Sequence, residues 1–363
     1  MRRHRRIVAA IAGAALLIPA AAACGSDDSS ADESSGNGAG SDSGGEDAGE
    51  SGGETLTIYS GRNEELIDPL IGQLEEATGV EVTVRYAGTA EHAAALMEEG
   101  ENTGAGLFIS QDAGALGALS KAGLLEELPE DVLGGVDEAH RGSAGDWVGI
   151  SGRARVLVYN QDLVEEGDLP GSIHDLTDEE WNGKVAYAPT NASFQTFVTA
   201  LRVLEGEDGA RDWLEALQAN DAEAFDGNGG ILDAVNNGDI EVGLVNHYYW
   251  YATVAEEGED SLNTRLHYFP GGDPGSLINV AGVGITAHGG QSDAALKAVE
   301  YLLSEEAQLY FAEETKEYPL AAGVTSPVEE LPAFDSIEAP DVNLTDLDSL
   351  EETLALLQEV GMV

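Results

Sequence analysis

Cysteine is almost missing: the 363-residue chain has one, Cys24. A disulfide framework is thereby excluded, and so is a thiolate metal site in the folded body. Basic residues are scarce as well, with 16 Lys and Arg against 68 Asp and Glu, for a formal net charge of −52. A field of that sign repels nucleic acid and anionic membranes, so neither is an expected partner. The acids are spread along every predicted helix, which reads as solvation of the whole surface, of the kind that suits saline surroundings, rather than as a cation funnel. Catalytic signatures are absent too. There is no Gly-x-Ser-x-Gly elbow, no His-Glu-x-x-His, no Gly-x-x-x-x-Gly-Lys phosphate loop and no cysteine nucleophile in the body, so the chain does not read as an enzyme.

Long apolar runs are confined to the N-terminus. Arg2, Arg3, Arg5 and Arg6 precede an apolar stretch over residues 7–23, and Cys24 follows Ala21-Ala22-Ala23. About 17 apolar residues broken by Pro19 are short for a hydrocarbon core of roughly 30 Å, so 1–23 reads as a signal peptide and not as a membrane span. The small residues before Cys24 and Gly25 resemble the bacterial lipobox, with Ala21 where Leu is usual. That resemblance implies a lipidated Cys24 anchoring an extracytoplasmic protein to the cell membrane. Residues 25–53 hold only Gly, Ser, Asp, Glu, Ala and one Asn. They carry too little apolar surface to offset their ordering entropy, so 24–53 is expected to be a disordered acidic tether.

The body, residues 54–363, is long for one core and suggests two lobes. β-branched runs predict strands over 55–59, 80–86, 107–110, 156–159, 184–188, 241–245 and 280–285. Helical spacing predicts helices over 64–77, 90–99, 113–121, 194–204, 210–217, 231–236, 293–303 and 350–359. Such alternation implies an α/β protein with mainly parallel sheets. Ligands of open α/β sheets sit beyond the carboxyl ends of strands. Those ends read Ser60-Gly61-Arg62-Asn63, Ala87-Gly88-Thr89, Gln111-Asp112, Thr190-Asn191-Ala192-Ser193 and Asn246-His247-Tyr248-Tyr249. The first three belong to one lobe and the last two to the other.

With these segments in view, the body resembles the ferric-iron-binding solute receptors of ABC importers. The resemblance is carried by Ile58-Tyr-Ser-Gly61, Leu119-Ser-Lys-Ala-Gly-Leu-Leu125, Asp146-Trp147, Ser151-Gly-Arg-Ala-Arg-Val-Leu-Val-Tyr159, Trp181-Asn-Gly-Lys184, Asp273-Pro-Gly275, Glu317-Tyr-Pro-Leu320 and, most specifically, Asn246-His-Tyr-Tyr-Trp-Tyr251. It implies a two-lobed periplasmic-binding-protein-like fold of type II with a ligand cleft between the lobes, and a monomeric receptor serving an ABC permease. The implied lobes are 54–154 with a return segment 279–325, and 155–278, with 326–363 packing on the second.

The resemblance also implies that Tyr248 and Tyr249 give phenolate oxygens to Fe(III). Ferric iron is hard and favours anionic oxygen. A phenol near pKa 10 loses its proton readily only beside a bound cation. Adjacent strand residues point to opposite faces, so a pair of ligands here needs a turn, expected between a strand ending near Val245 and a helix starting by Trp250. The same resemblance places Asn63 and Gln111 where the best-known relatives have a His and a Glu ligand. Two phenolates leave Fe(III) at +1, so a phosphate, carbonate or other oxyanion carries more of the charge. The implied anion positions are Asn191, Ala192, Ser193, Asn228 and Asn246; a helix opening at Ser193 would aim N–H groups at the anion. Arg62 is either a further anion partner or an exposed surface arginine. Asp112 and Glu64 are carboxylates next in sequence to the substituted positions. His92 stands near the expected cleft as a replacement ligand or an exposed helix residue, and His247 is expected to point away from the metal. An alternative keeps the fold and changes the cargo to a ferric chelate or a small anionic organic solute.

Overall fold

The computed structural model describes residues 54–329 and 331–363. The expected signal peptide, Cys24 and the tether lie outside these residues. The elements are β1 Thr55–Ser60, α1 Glu64–Thr78, β2 Glu81–Tyr86, α2 Thr89–Glu99, β3 Leu107–Ser110, α3 Ala113–Lys121, α4 Glu130–Leu133, β4 Val148–Asn160, β5 Val185–Tyr187, α5 Ala192–Ala219, β6 Glu223–Ala224, α6 Asn228–Asn237, β7 Val242–Asn246, α7 His247–Glu257, β8 Thr264–His267, β9 Ile278–Ile285, α8 Ser292–Leu302, α9 Glu305–Glu313, β10 Tyr318–Pro319 and α10 Leu350–Glu359. Strands run in the order β2-β1-β3-β9-β4-β7-β5-β6, with β8 and β10 also paired to β4. Parallel pairs form the two outer parts, β2-β1-β3 and β7-β5-β6, as expected for α/β lobes. Antiparallel β4 and β9 join them.

The joining strand decides where a cleft lies. All 13 residues of β4 are buried. Its first half pairs with β9 as far as Ala154, opposite Ile278, and its second half pairs with β7 from Arg155, opposite Asn246. The strand therefore changes partner between Ala154 and Arg155, at the bottom of the gap between the two parallel parts. The β-branched run 156–159 predicts only its second half. Gly149, Ser151, Gly152, Arg153 and Arg155 disguise the rest as loop, because their burial is dictated by tertiary packing and not by local preference.

The cores follow the same plan. Leu56, Ile58, Ile67, Leu70, Leu74, Leu107 and Phe108 are buried together at the first end, while Val156, Ala186, Ile231, Val235 and Trp250 fill a second cluster. Asn63 caps α1 and Gly79, at φ 71°, ends it. The C-terminal segment packs α10 on α5 and also lays its preceding turn, Leu344–Asp348, across α3. That approach needs glycine: a Cβ on Gly114 would meet Leu347 O at 2.4 Å, and one on Gly117 would meet Thr345 O at 2.6 Å. Among the described residues no helix is long and apolar enough to cross a membrane.

Candidate metal centre

β7 delivers Asn246 to the cleft and α7 begins at once, at His247. Tyr248 and Tyr249 thus lie in the first turn of α7, not in a turn preceding a helix at Trp250. A helix turns by about 100° per residue, so neighbours can share one side where strand neighbours cannot. Their rings stack with centroids 4.5 Å apart and planes 26° apart. Both are half-buried. Behind them His247 is fully buried, its Nδ1 accepting from Ala154 N at 3.1 Å. Burial pulls its pKa down to about 4. It fastens α7 to the crossing strand, and its ring meets that of Tyr248 edge-on with centroids 6.0 Å apart.

The tyrosines line a small cavity of about 70 Å³ together with Gln111, Asp112, Arg153, Asn191, Ala192, Ser193, Thr196, Asn246 and Asn279. Gln111 and Asp112 follow β3 on one side of the β9–β4 pair, the tyrosines follow β7 on the other, and Arg153 belongs to β4 between them. Such a volume suits a metal ion with a small anion and is far below the roughly 300 Å³ or more typical of organic-ligand pockets. A larger depression of about 760 Å³ lies elsewhere, lined by loops that include Glu127, Glu130 and Arg141. No tyrosine lines it.

The far wall is the N-terminus of α5. Asn191 caps it, with Oδ1 accepting from Ser193 N at 3.0 Å and from Ser193 Oγ at 2.6 Å. Asn228 opens α6 and donates weakly to Asn191 Oδ1 and Ser193 Oγ, both at 3.4 Å. It is buried, it does not line the cavity, and its own Oδ1 has no partner. Asn228 therefore braces the N-terminus of α5 from behind.

Two arginines were invisible to sequence reasoning as site residues. Arg155 is 2% exposed and has no carboxylate partner among the described residues. It donates to Ser193 Oγ at 3.2 Å and Leu244 O at 3.1 Å and packs on Phe194 and Phe197. Burial lowers its pKa to about 9, so it keeps its charge at neutral pH. Arg153 donates to Gln111 O and shares one carboxylate, Glu317, with Arg62. Glu317 also accepts from Ser151 Oγ at 2.6 Å. Their spacing, two charges at alternate positions of a strand, was the available signal.

Besides Asn228, three expected positions fall outside the cavity lining. Asn63 is exposed and spends its Oδ1 on Glu65 N, 2.8 Å away, because an Asn before a helix is a ready N-cap. Arg62 is neither an exposed arginine nor a cavity wall: it is buried, and its Nη2 donates to both carboxylate oxygens of Glu317, at 2.9 and 3.1 Å. His92 is buried, stacked on Tyr59 at 4.9 Å with Nε2 2.9 Å from Arg85 O, and so is not the replacement ligand.

Electrostatics complete the picture. Burial raises the pKa of Tyr248, the neighbouring Tyr249 raises it further, and Arg153 opposes both. Burial likewise raises Asp112 against the pull of Ala115 N–H and Arg153.

A fold of two α/β parts joined by a crossing strand, with a small polar cavity where they meet, defines a solute-binding protein rather than an enzyme. Residues 103–340 match the family described as bacterial extracellular solute-binding protein, and the chain belongs to that family. It is 34% identical over 312 residues to the major ferric iron-binding protein of Neisseria meningitidis serogroup A, covering 85% of this chain and 93% of the relative. The structure of iron-bound HitA from Pseudomonas aeruginosa superposes with a TM-score of 0.78 at 35% identity, covering 85% of this chain and 99% of that one. A Trichodesmium IdiA (FutA) structure in complex with iron and citrate ligands follows at 0.74 and 26% identity, with 85% and 99% covered.

Proposed function

We propose that this chain is an extracytoplasmic receptor that binds ferric iron with an exogenous oxyanion and passes it to an ABC importer. The observation that carries this is the pair of phenols stacked at 4.5 Å in a cavity of about 70 Å³. Two phenolates are a donor set for a hard trivalent cation and have little use otherwise, since packing alone gives no reason to crowd two hydroxyl-bearing rings beside a polar void. Gln111 offers a carbonyl oxygen from the opposite wall. The oxyanion fits against Ser193, Asn191, Ala192 and Asn246, where the N–H groups opening α5 and the charge of Arg153 favour a phosphate or a carbonate. The residues 54–154 with 279–325, and 155–278, would act as the closing lobes. A signal peptide over 1–23 and a lipid on Cys24 would hold the receptor at the cell membrane, with 24–53 as its tether.

Titrating Fe(III) into the purified protein with and without phosphate, carbonate or citrate tests the reading through the phenolate-to-iron charge-transfer band. The band is expected to grow steeply when an anion is present and weakly without one. Equal colour under all conditions removes the anion from the proposal. No colour under any condition removes iron and leaves a small anionic organic solute. Colour with citrate alone would favour a ferric chelate as cargo, the reading that the iron–citrate relative supports.

A further inference from the structure

Gln111 and Asp112 both line the cavity, yet they differ in the property that matters to Fe(III). An amide oxygen is neutral and a carboxylate is a hard anionic donor. Asp112 is the one acidic residue among the cavity's lining residues. Of the nearby carboxylates, Glu317 is taken by Arg62, Ser151 and Arg153, and Glu64 stands exposed in the first turn of α1. Among the described residues no cluster of three or more His, Cys, Asp or Glu offers a rival metal site.

Asp112 is also held in place. It caps α3, its carboxylate accepting from Ala115 N at 3.0 Å. Its backbone is clamped by Ser110, whose Oγ donates to Asp112 O at 2.6 Å and accepts from Asp112 N at 3.3 Å. Arg153 takes the carbonyl of the preceding Gln111, and Asn279 Oδ1 accepts from Ala113 N at 3.3 Å. The cap hydrogen bonds from the backbone N–H groups of Ala115 and Gly114 use part of a carboxylate's roughly four acceptor sites. The group is therefore fixed in place with acceptor sites to spare, and a bound cation would favour its ionised form against the burial that opposes it.

From this geometry we infer that Asp112, and not Gln111, is the protein's third anionic iron ligand, supplied by the wall opposite the tyrosines. The inference rests on the ferric reading above and deepens it. Two phenolates and one carboxylate bring Fe(III) to neutrality. Arg62 and Arg153 share the single carboxylate of Glu317, so the three groups keep one net positive charge, which Arg153 brings to the cavity wall. The oxyanion then balances Arg153, which explains how a third protein carboxylate and an exogenous anion are both accommodated. An Asp112–iron–Tyr248 bridge also spans the two walls, so the metal itself would hold the cleft shut.

Asp112→Asn separates charge from structure, because Asn caps a helix about as well as Asp. Iron affinity is measured by competition with citrate, alongside the charge-transfer band and the melting temperature. The D112N protein is expected to melt like wild type, bind iron at least about tenfold more weakly and show a band shifted to longer wavelength, because iron that has lost an anionic donor accepts phenolate charge at lower energy. Gln111→Ala is expected to cost less than D112N. Equal affinity and an unmoved band in D112N, or a larger loss in Q111A, overturns the inference. Should D112N melt lower, Asp112→Ser, also a capping residue, replaces it and is judged by the same two results. Wild-type protein without any band would instead reject the ferric reading itself.

Discussion

Tyr248 is kept in its phenol form by burial and by its neighbour, and it is released from that form only by a cation. Its raised pKa keeps that proton in place in the empty protein at neutral pH, and binding iron through two phenolates would remove one proton from each ring. Uptake should therefore release about two protons per iron, and affinity should fall as pH drops. A pH-stat titration, corrected for the protonation of the iron carrier, measures this directly; release of no protons would mean that the phenols are not ligands. The strand-end rule and the family resemblance together single out Tyr248, Tyr249, Gln111, Asn191, Ala192, Ser193 and Asn246, all of which line the cavity. They misplaced Asn63, Arg62 and Asn228 for one shared reason. Each is an amide or guanidinium near a strand end, and only the folded surroundings decide whether such a group faces the void or is used to cap, pair or brace. Nor could sequence spacing show Arg155 as a charge acting through Ser193.

At the scale of elements, β4 carries the site as well as the fold. Its partner change between Ala154 and Arg155 sets two guanidiniums under the cleft, and Glu317, just before β10, restrains one of them together with Arg62. Burial pushes the Glu317 carboxyl up, but Arg62 and Arg153 outweigh it and hold it below the usual range. Its contribution to stability is accordingly present above the unfolded pKa of about 4.3 and lost as pH falls through the lower folded value. Glu317→Gln leaves two buried cations without an anion and should cost about 3–5 kcal/mol at pH 7. Urea unfolding curves check this, and the gap to wild type should narrow in acid, where wild type carries a protonated Glu317 too. A constant gap at every pH would show that the loss comes from packing and not from charge. Helices with clean amphipathic spacing, such as 113–121 and 350–359, lie where the sequence places them. Even the break between 194–204 and 210–217 appears, as Gly206 at φ 83° inside α5. What the pattern hid was the first half of β4, where small and charged residues are buried for tertiary reasons, and the first turn of α7, which begins three residues earlier than its Trp250 suggested.

For the whole molecule, the α/β class and the polar strand ends were legible, because alternation of strand and helix is a local signal and the ligand rule follows from it. Convergence of those ends was not, since it depends on antiparallel β4 and β9 drawing the β2-β1-β3 and β7-β5-β6 parts together. The strong acidity acts at this scale too. A surface field of that sign is screened over a Debye length of about 8 Å at physiological ionic strength. If it serves solvation, iron affinity should change little between low and high salt, while a steering role would make the association rate fall steeply; stopped-flow iron uptake at increasing salt distinguishes the two. The most direct measurement is iron retention by the Tyr248→Phe/Tyr249→Phe double variant after dialysis against citrate. Wild type should keep stoichiometric iron and its visible band, and the variant, with an unchanged far-UV circular dichroism spectrum, should keep none. Iron retained by the folded double variant would contradict a phenolate site in this cleft.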